Sequence, residues 1–240
     1  MPPSVIENFV VGIATSIITA VAVWLWNKIR KSRILNRRAA FFGLSPKEPF
    51  LAVMNQNPKS LNTMSHADVQ TLVEVVKLAE EIGSELTVAP FDRVLEPPGG
   101  MTEFCLGGPD SNQRTKVHLA NFLKGVRLNP YMPGDLDNIA IVTQAETFRY
   151  EKNHSEYAVL ARLYPNPKAH PVILICGQTA RSNQGTVHYL IENYEHVLRK
   201  KFGNKKQFCL IIQLQSPQTY GYKSAKLEKD LTDTAFTPFP

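Results

Sequence analysis

No lysine or arginine precedes Lys28, and the stretch from Asn8 to Asn27 carries no charge. A signal peptide needs a basic start and a small-residue cleavage site; neither is here, because Trp24-Leu25-Trp26 leads straight into basic residues. Cysteine is scarce. Cys105, Cys176 and Cys209 lie in apolar, strand-like stretches without metal-ligand spacing, which excludes a disulfide scaffold or zinc module. Reduced thiols in a reducing compartment are expected. The chain also lacks a P-loop lysine motif and a complete dinucleotide fingerprint. Basic excess is missing where a nucleic-acid-coating protein would need it. The net charge of +6 comes from Lys28, Arg30, Lys31, Arg33, Arg37 and Arg38, and the rest of the chain after Asn27 holds 21 basic against 20 acidic residues. A nucleotide or small oligonucleotide in one pocket remains compatible with that balance.

What the start of the chain does have is an apolar run from Phe9 to Trp26, long enough to span a bilayer. Trp24 and Trp26 suit the interfacial belt, and the positive-inside rule sets the basic side in the cytoplasm. Residues 1–27 are therefore expected to form a single-pass transmembrane helix in a bacterial inner membrane, with the C-terminal domain cytoplasmic. Gly12, Ser16 and Ala20 recur every four residues, with Thr15 and Thr19 beside them. Such a face lets membrane helices pack closely. It fits a homo-oligomer, taken here as a tetramer, and a pore lined by Thr15, Ser16 and Thr19; a lone anchor also fits. Residues 28–49 read as a basic helix to about Ala40, touching anionic headgroups, then a linker broken by Gly43 and Pro46.

Residues 50–215 alternate apolar runs with helical periodicity, which predicts an α/β fold with a mostly parallel, Rossmann-like sheet covered by helices on both faces. Strands are expected at 50–54, 86–89, 103–106, 126–128, 171–176 and 208–214. Helices are expected after Ser65, from about Asn112 to Lys124, and from about Ser182 to Lys201. Ile139 to Thr143 and Phe148 to Tyr150 read as extended, and with a turn at Lys152 to Ser155 and a returning strand from Tyr157 to Tyr164 they predict an antiparallel hairpin. Residues 216–240 read as an irregular tail.

Two loops in this domain match. Cys105-Leu106-Gly107-Gly108-Pro109-Asp110-Ser111-Asn112-Gln113-Arg114-Thr115 and Cys176-Gly177-Gln178-Thr179-Ala180-Arg181-Ser182-Asn183-Gln184-Gly185-Thr186 share a cysteine, five residues and Ser-Asn-Gln-x-Thr at an offset of 71. Each leaves a strand and enters a helix, where an α/β sheet presents free N–H groups to anions. The same residues also cap helices, so both readings stand. With the polar exit of the first strand, Asn55 and Gln56, the candidate ligand-binding set is Gly107, Gly108, Asp110, Ser111, Asn112, Arg114 and Thr115 from the first loop and Gly177, Gln178, Thr179, Arg181, Ser182 and Asn183 from the second. No cofactor, metal or catalytic residue is assigned. Asp110 or Glu103 could serve an enzyme, although Asp110 suits a helix cap better. His188, Glu192 and His196 share a helical face, which reads as solvated surface. His118 has no nucleophile paired with it.

The strand followed by Gly107-Gly108 and a polar helix start resembles the SLOG class of Rossmann-like nucleotide-sensing domains; Pro109-Asp110 stands where the class carries a longer glycine run. With the membrane segment in front, the chain is similar to the membrane effectors of Hailong anti-phage defence systems. The resemblance covers about residues 100 to 190 and the domain order. It implies a pocket for a nucleotide or short single-stranded DNA signal, a membrane-permeabilising oligomer in the lipid bilayer, and a nucleotidyltransferase that makes the signal. The related fold also includes nucleoside-cleaving enzymes, so a membrane-anchored glycosidase or transferase stays open, as does a scaffold recruiting a partner through the tail.

Overall fold

The computed structural model describes residues 3–45, 47–55 and 63–239, with side chains described from Asn8 onward. Helix α1, Pro3–Phe41, is uninterrupted. Its apolar side chains from Phe9 to Trp26 stand exposed. At ~1.5 Å per residue that stretch rises about 27 Å, close to a hydrocarbon core of ~30 Å, so this helix is long and apolar enough to cross a membrane. The hydroxyls of Thr15, Ser16 and Thr19 donate to Val11, Gly12 and Thr15 carbonyls one turn back, which satisfies them inside the helix. The last turn of α1 enters the core, where Phe41 and Phe42 are fully buried. The break at Pro46 lies outside the described residues.

The remaining elements are β1 (Phe50–Met54), α2 (His66–Ile82), β2 (Leu86–Pro90), β3 (Glu103–Leu106), α3 (Gln113–Phe122), β4 (Val126–Leu128), β5 (Ile141–Thr143) and β6 (Thr147–Phe148). They continue with β7 (Ser155–Leu163), β8 (Val172–Gly177), α4 (Ala180–Asn193), a π-helical turn at Tyr194–Leu198, α5 (Arg199–Phe202), β9 (Phe208–Gln215), α6 (Pro217–Tyr220) and β10 (Ala225–Asp230). A seven-stranded sheet runs β10-β9-β7-β8-β3-β1-β2, and β4-β5-β6 form a separate three-stranded sheet. Strands β2, β1, β3 and β8 are mutually parallel; β7 is antiparallel to both neighbours, β8 and β9. The protein is thus α/β with a mixed sheet.

The two faces of the large sheet carry different cores. The end of α1, α2 and α4 pack on one, through residues such as Val75, Leu78, Val187, Leu190 and Tyr194. On the other lie α3 and the three-stranded sheet, through Leu119, Leu123, Val126 and Ile141. The connections β1-α2-β2 and β8-α4-β9 run toward opposite edges while α2 and α4 cover the same face. The two crossovers therefore have opposite hand, unlike the uniform right-handed winding of a doubly wound sheet.

Three expectations need correction. The 148–150 segment does not form a hairpin with the strand after it. β6 pairs with β5, whereas β7 pairs with β8 and β9, leaving only a Glu151–Ser155 bridge between the two segments. The cause is burial. Nearly every residue of β7 is buried, so the strand belongs in the middle of the sheet. The long helix starts at Ala180 rather than Ser182, because Thr179 is its N-cap and Ser182 reciprocates as the third residue of a capping box. The segment after Ser216 is not irregular: β10 pairs antiparallel with β9, with a register shift between Leu227 and Lys229, and Leu231 and Ala235 are buried behind it. Its charged residues, Lys226, Glu228, Lys229 and Asp230, are what an outer strand tolerates.

Candidate functional site

Strands β3 and β8 are direct neighbours, with Glu103 opposite Val172 and Leu106 opposite Ile175. The two matching loops therefore leave the same end of the sheet side by side. β1 lies on the far side of β3, and the chain order reverses between them, because β2 follows β1 outward and β3 returns inward. Such a reversal opens a crevice at the carboxyl ends of parallel strands. Asn55 and Gly107 meet there. Gly107 has φ +107°, and a Cβ on it would come within 2.7 Å of the Asn55 Cβ. Asn55 Oδ1 is buried and has no partner among the described residues. Gln56 lies outside the described residues.

The sequence match between the loops is in part a structural match. Each serine donates to the carbonyl three residues back, Ser111 to Gly108 at 3.3 Å and Ser182 to Thr179 at 2.9 Å. Each asparagine ties to the backbone six residues back, at the end of its strand. Asn112 Nδ2 donates to the Leu106 carbonyl (2.9 Å), and Asn183 Oδ1 accepts the Gly177 N–H (2.6 Å). Asn112 also caps α3, its Oδ1 accepting from the Arg114 and Thr115 amides. Asn112, Ser182 and Asn183 are buried and satisfied, and Ser111 is half-buried. Most of the shared polar set thus builds the loops and has little left for a ligand.

Gln178 is similarly occupied: it accepts the Tyr157 N–H at 2.8 Å and donates to the Phe148 carbonyl at 2.8 Å. Thr179 donates to Glu156, and Thr115 pairs with the Cys105 sulfur at 3.2 Å. Still facing outward are Asp110, exposed with Oδ2 accepting the Tyr131 N–H at 2.8 Å, and Arg181, half exposed and 3.9 Å from Glu156. Gly108 and Pro109 complete the rim.

Arg114 turns away from the rim. It donates twice to Glu103, at 2.7 Å each, and His118 Nε2 lies 3.1 Å from the same carboxylate. Burial pushes the Glu103 carboxyl up, but the hydrogen bonds and charges of His118 and Arg114 outweigh it and hold the group below the usual carboxylate range. Glu103, Cys105 and His118 are close enough to share a metal ion. Their chemistry argues otherwise. A guanidinium already sits on both Glu103 oxygens, and burial, with the Glu103 charge, pushes the Cys105 thiol well up, so it stays protonated. Burial likewise raises Cys176, to about 12, and Cys209. None of the three is a nucleophile at neutral pH. His188, Glu192 and His196 form no ligand set among the described residues; His188 packs edge-on against Tyr222.

No protein-family model matches the chain, and no curated protein matches it in sequence.

Two features were missed in sequence. Arg162, a charge inside an apolar strand, is fully buried and donates to the carbonyls of Phe41, Gly203 and Lys206, which fastens the end of α1 to the core. Burial lowers its pKa to about 10. The second is a clamp on α1. Glu195, in the π turn after α4, accepts from Arg37 and from Arg38 (3.0 Å), while Arg38 also reaches Glu81 (3.1 Å). The Tyr194 hydroxyl donates to Glu81 at 2.9 Å, and the Tyr194 ring packs on Phe41 and Phe42. The signal was present as two arginines nearest the domain, but Glu195, the partner they share, lies more than 150 residues away.

Proposed function

We propose that this chain is a membrane-anchored effector of bacterial anti-phage defence. On this reading its domain senses a nucleotide-type signal at the carboxyl end of the sheet, on the cytoplasmic side, and its oligomeric helices control ion flow. The observation that carries the reading is the path of α4. It begins in the second loop, at the candidate site, and ends in the π turn that grips Arg37 and Arg38 of the membrane helix. A π turn inside a helix often marks a functional position. Movement of the loop on ligand binding would travel along one rigid element to α1, which is itself continuous from the apolar stretch to the buried Phe41.

The nucleosidase alternative has less support. Glu103 is committed to Arg114 and His118, which leaves Asp110 as the exposed carboxylate of the first loop. The scaffold alternative relied on a free tail, and that segment is an integral strand. Mass spectrometry of small molecules released on denaturing the full chain, purified from bacteria, tests the sensing role. A nucleotide-type compound is expected from the wild type, at much lower occupancy in an Asn55→Ala, Arg181→Ala double variant. Equal occupancy in a folded double variant would remove the crevice from the site.

A further inference from the structure

We propose that the groove between α3, the three-stranded sheet and residues 234–239 binds a phosphate-bearing ligand with a flat apolar ring. This names the ligand class and subsite for the receptor reading. It rests on that reading for the consequence of binding and not for binding itself. The groove encloses about 630 Å³ and opens beside the first loop, with Pro109 and Asp110 on its border. That volume suits a small molecule, for which pockets run roughly 300–1,000 Å³.

Its chemistry has two halves. Lys116, Lys124 and Arg127 stand around it, and none is paired with a carboxylate among the described residues. Among the described residues of the lining the acidic side chain is Asp110, whose Oδ2 accepts the Tyr131 N–H. Among the described lining residues the groove therefore holds three cations against one carboxylate, a net positive charge. Its floor is apolar, with Leu119 and Leu123 buried beneath, and the Phe239 ring forms a wall with the Arg127 guanidinium 5.8 Å from its centroid. A bare phosphate would leave the floor wet, and an apolar ligand would leave the excess positive charge unanswered. A ring carrying phosphates satisfies both, with the ring against Phe239 and the phosphates on the cations.

The wall is held in place before any ligand arrives. Gln144 Nε2 donates to the carbonyls of Thr237 (3.1 Å) and Pro238 (2.9 Å), and the Gly125 N–H donates to Ala235 at 2.9 Å. A side chain at Gly125 would collide with the Thr234 carbonyl, so a glycine is required where the segment crosses the end of α3.

The test uses the full chain in mild detergent and the fluorescent nucleotide trinitrophenyl-ATP. Saturable binding is expected, displaced at least about tenfold better by ATP than by adenosine or pyrophosphate. Replacing Lys124→Ala and Arg127→Ala together should weaken binding roughly tenfold to hundredfold, as expected for lost hydrogen bonds to a charged group. Exchanging the same positions as Lys124→Arg and Arg127→Lys should keep most of it. Phe239→Ala should weaken ATP and leave pyrophosphate unchanged. Thermal melting checks that each variant is folded. A folded double alanine variant that binds like the wild type overturns the proposal, and so does pyrophosphate that competes as well as ATP. Groove binding without any effect on ion flux would overturn the receptor reading and leave the groove standing. A nucleotide-dependent flux identical in wild type and double variant would overturn the groove and leave the receptor reading.

Discussion

Asn112 and Glu103 carry different burdens at the scale of single residues. Asn112 is fully buried, caps α3 and pins that helix to the end of β3. Its truncation removes the acceptor of two amides and the donor to the Leu106 and Val53 carbonyls. Asn112→Ala is expected to cost about 2–3 kcal/mol of stability, the sum of a lost cap and an unsatisfied buried group. Arg181→Ala, on the exposed rim, should cost little. Chemical denaturation of both variants checks this; equal stabilities would return Asn112 to the role of a free ligand donor. Glu103 makes stability depend on acid. A carboxyl held below its ordinary value of 4.5 contributes stability that is complete above that value and is lost as pH falls through the lower folded value. Glu103→Gln is therefore expected to flatten the loss of stability on acidification below about pH 4.5 relative to the wild type. Melting temperature against pH reads this out, and parallel curves would contradict it. Both residues stood out in the sequence, yet their roles could not be read there. The Ser-Asn-Gln-x-Thr match marks a repeated loop, but whether asparagine faces ligand or backbone depends on where the helix begins, and one loop caps at Asn112 while the other caps at Thr179.

Among the elements, strands with strong apolar runs were legible: β1 and β9 begin where hydrophobicity begins, and Gly83 ends α2 in the left-handed conformation. Partners were not. The neighbours of β7 are set by its burial on both faces, which an apolar run shares with many strands. β10 escaped notice because an edge strand rich in lysine and glutamate resembles a solvated tail. Its importance is testable. A chain ending at Ser224 loses a strand of the large sheet, the buried Leu231 and Ala235, and the groove wall. It is expected to be aggregated or protease-sensitive, by limited proteolysis against the full chain. A stable, resistant truncation would restore the view of this segment as an appendage.

For the whole molecule the proposed function requires that copies of α1 assemble. Gly12, Ser16 and Ala20 are exposed on α1, and nothing lies within 4 Å of a Cβ built on Gly12. In lipid, close packing and hydrogen bonding drive helix association, since apolar side chains gain little by leaving lipid for one another. Ser16→Leu is expected to abolish oligomers in mild detergent, while Ile18→Leu does not; light scattering after size separation distinguishes them. Persistence of the oligomer in Ser16→Leu would reduce α1 to a tether.

Ligand-controlled ion flux through the assembled chain is the most direct test of the account. The full chain would be placed in liposomes loaded with a fluorescent ion indicator and exposed on the domain side to mononucleotides, cyclic nucleotides and short single-stranded DNA. At least one class should change the flux in the wild type, and the change should be lost in Glu195→Gln, which weakens the grip on Arg37 and Arg38 while leaving the candidate site intact. Liposomes whose flux is the same with every ligand, or a Glu195→Gln protein that responds like the wild type, would contradict it.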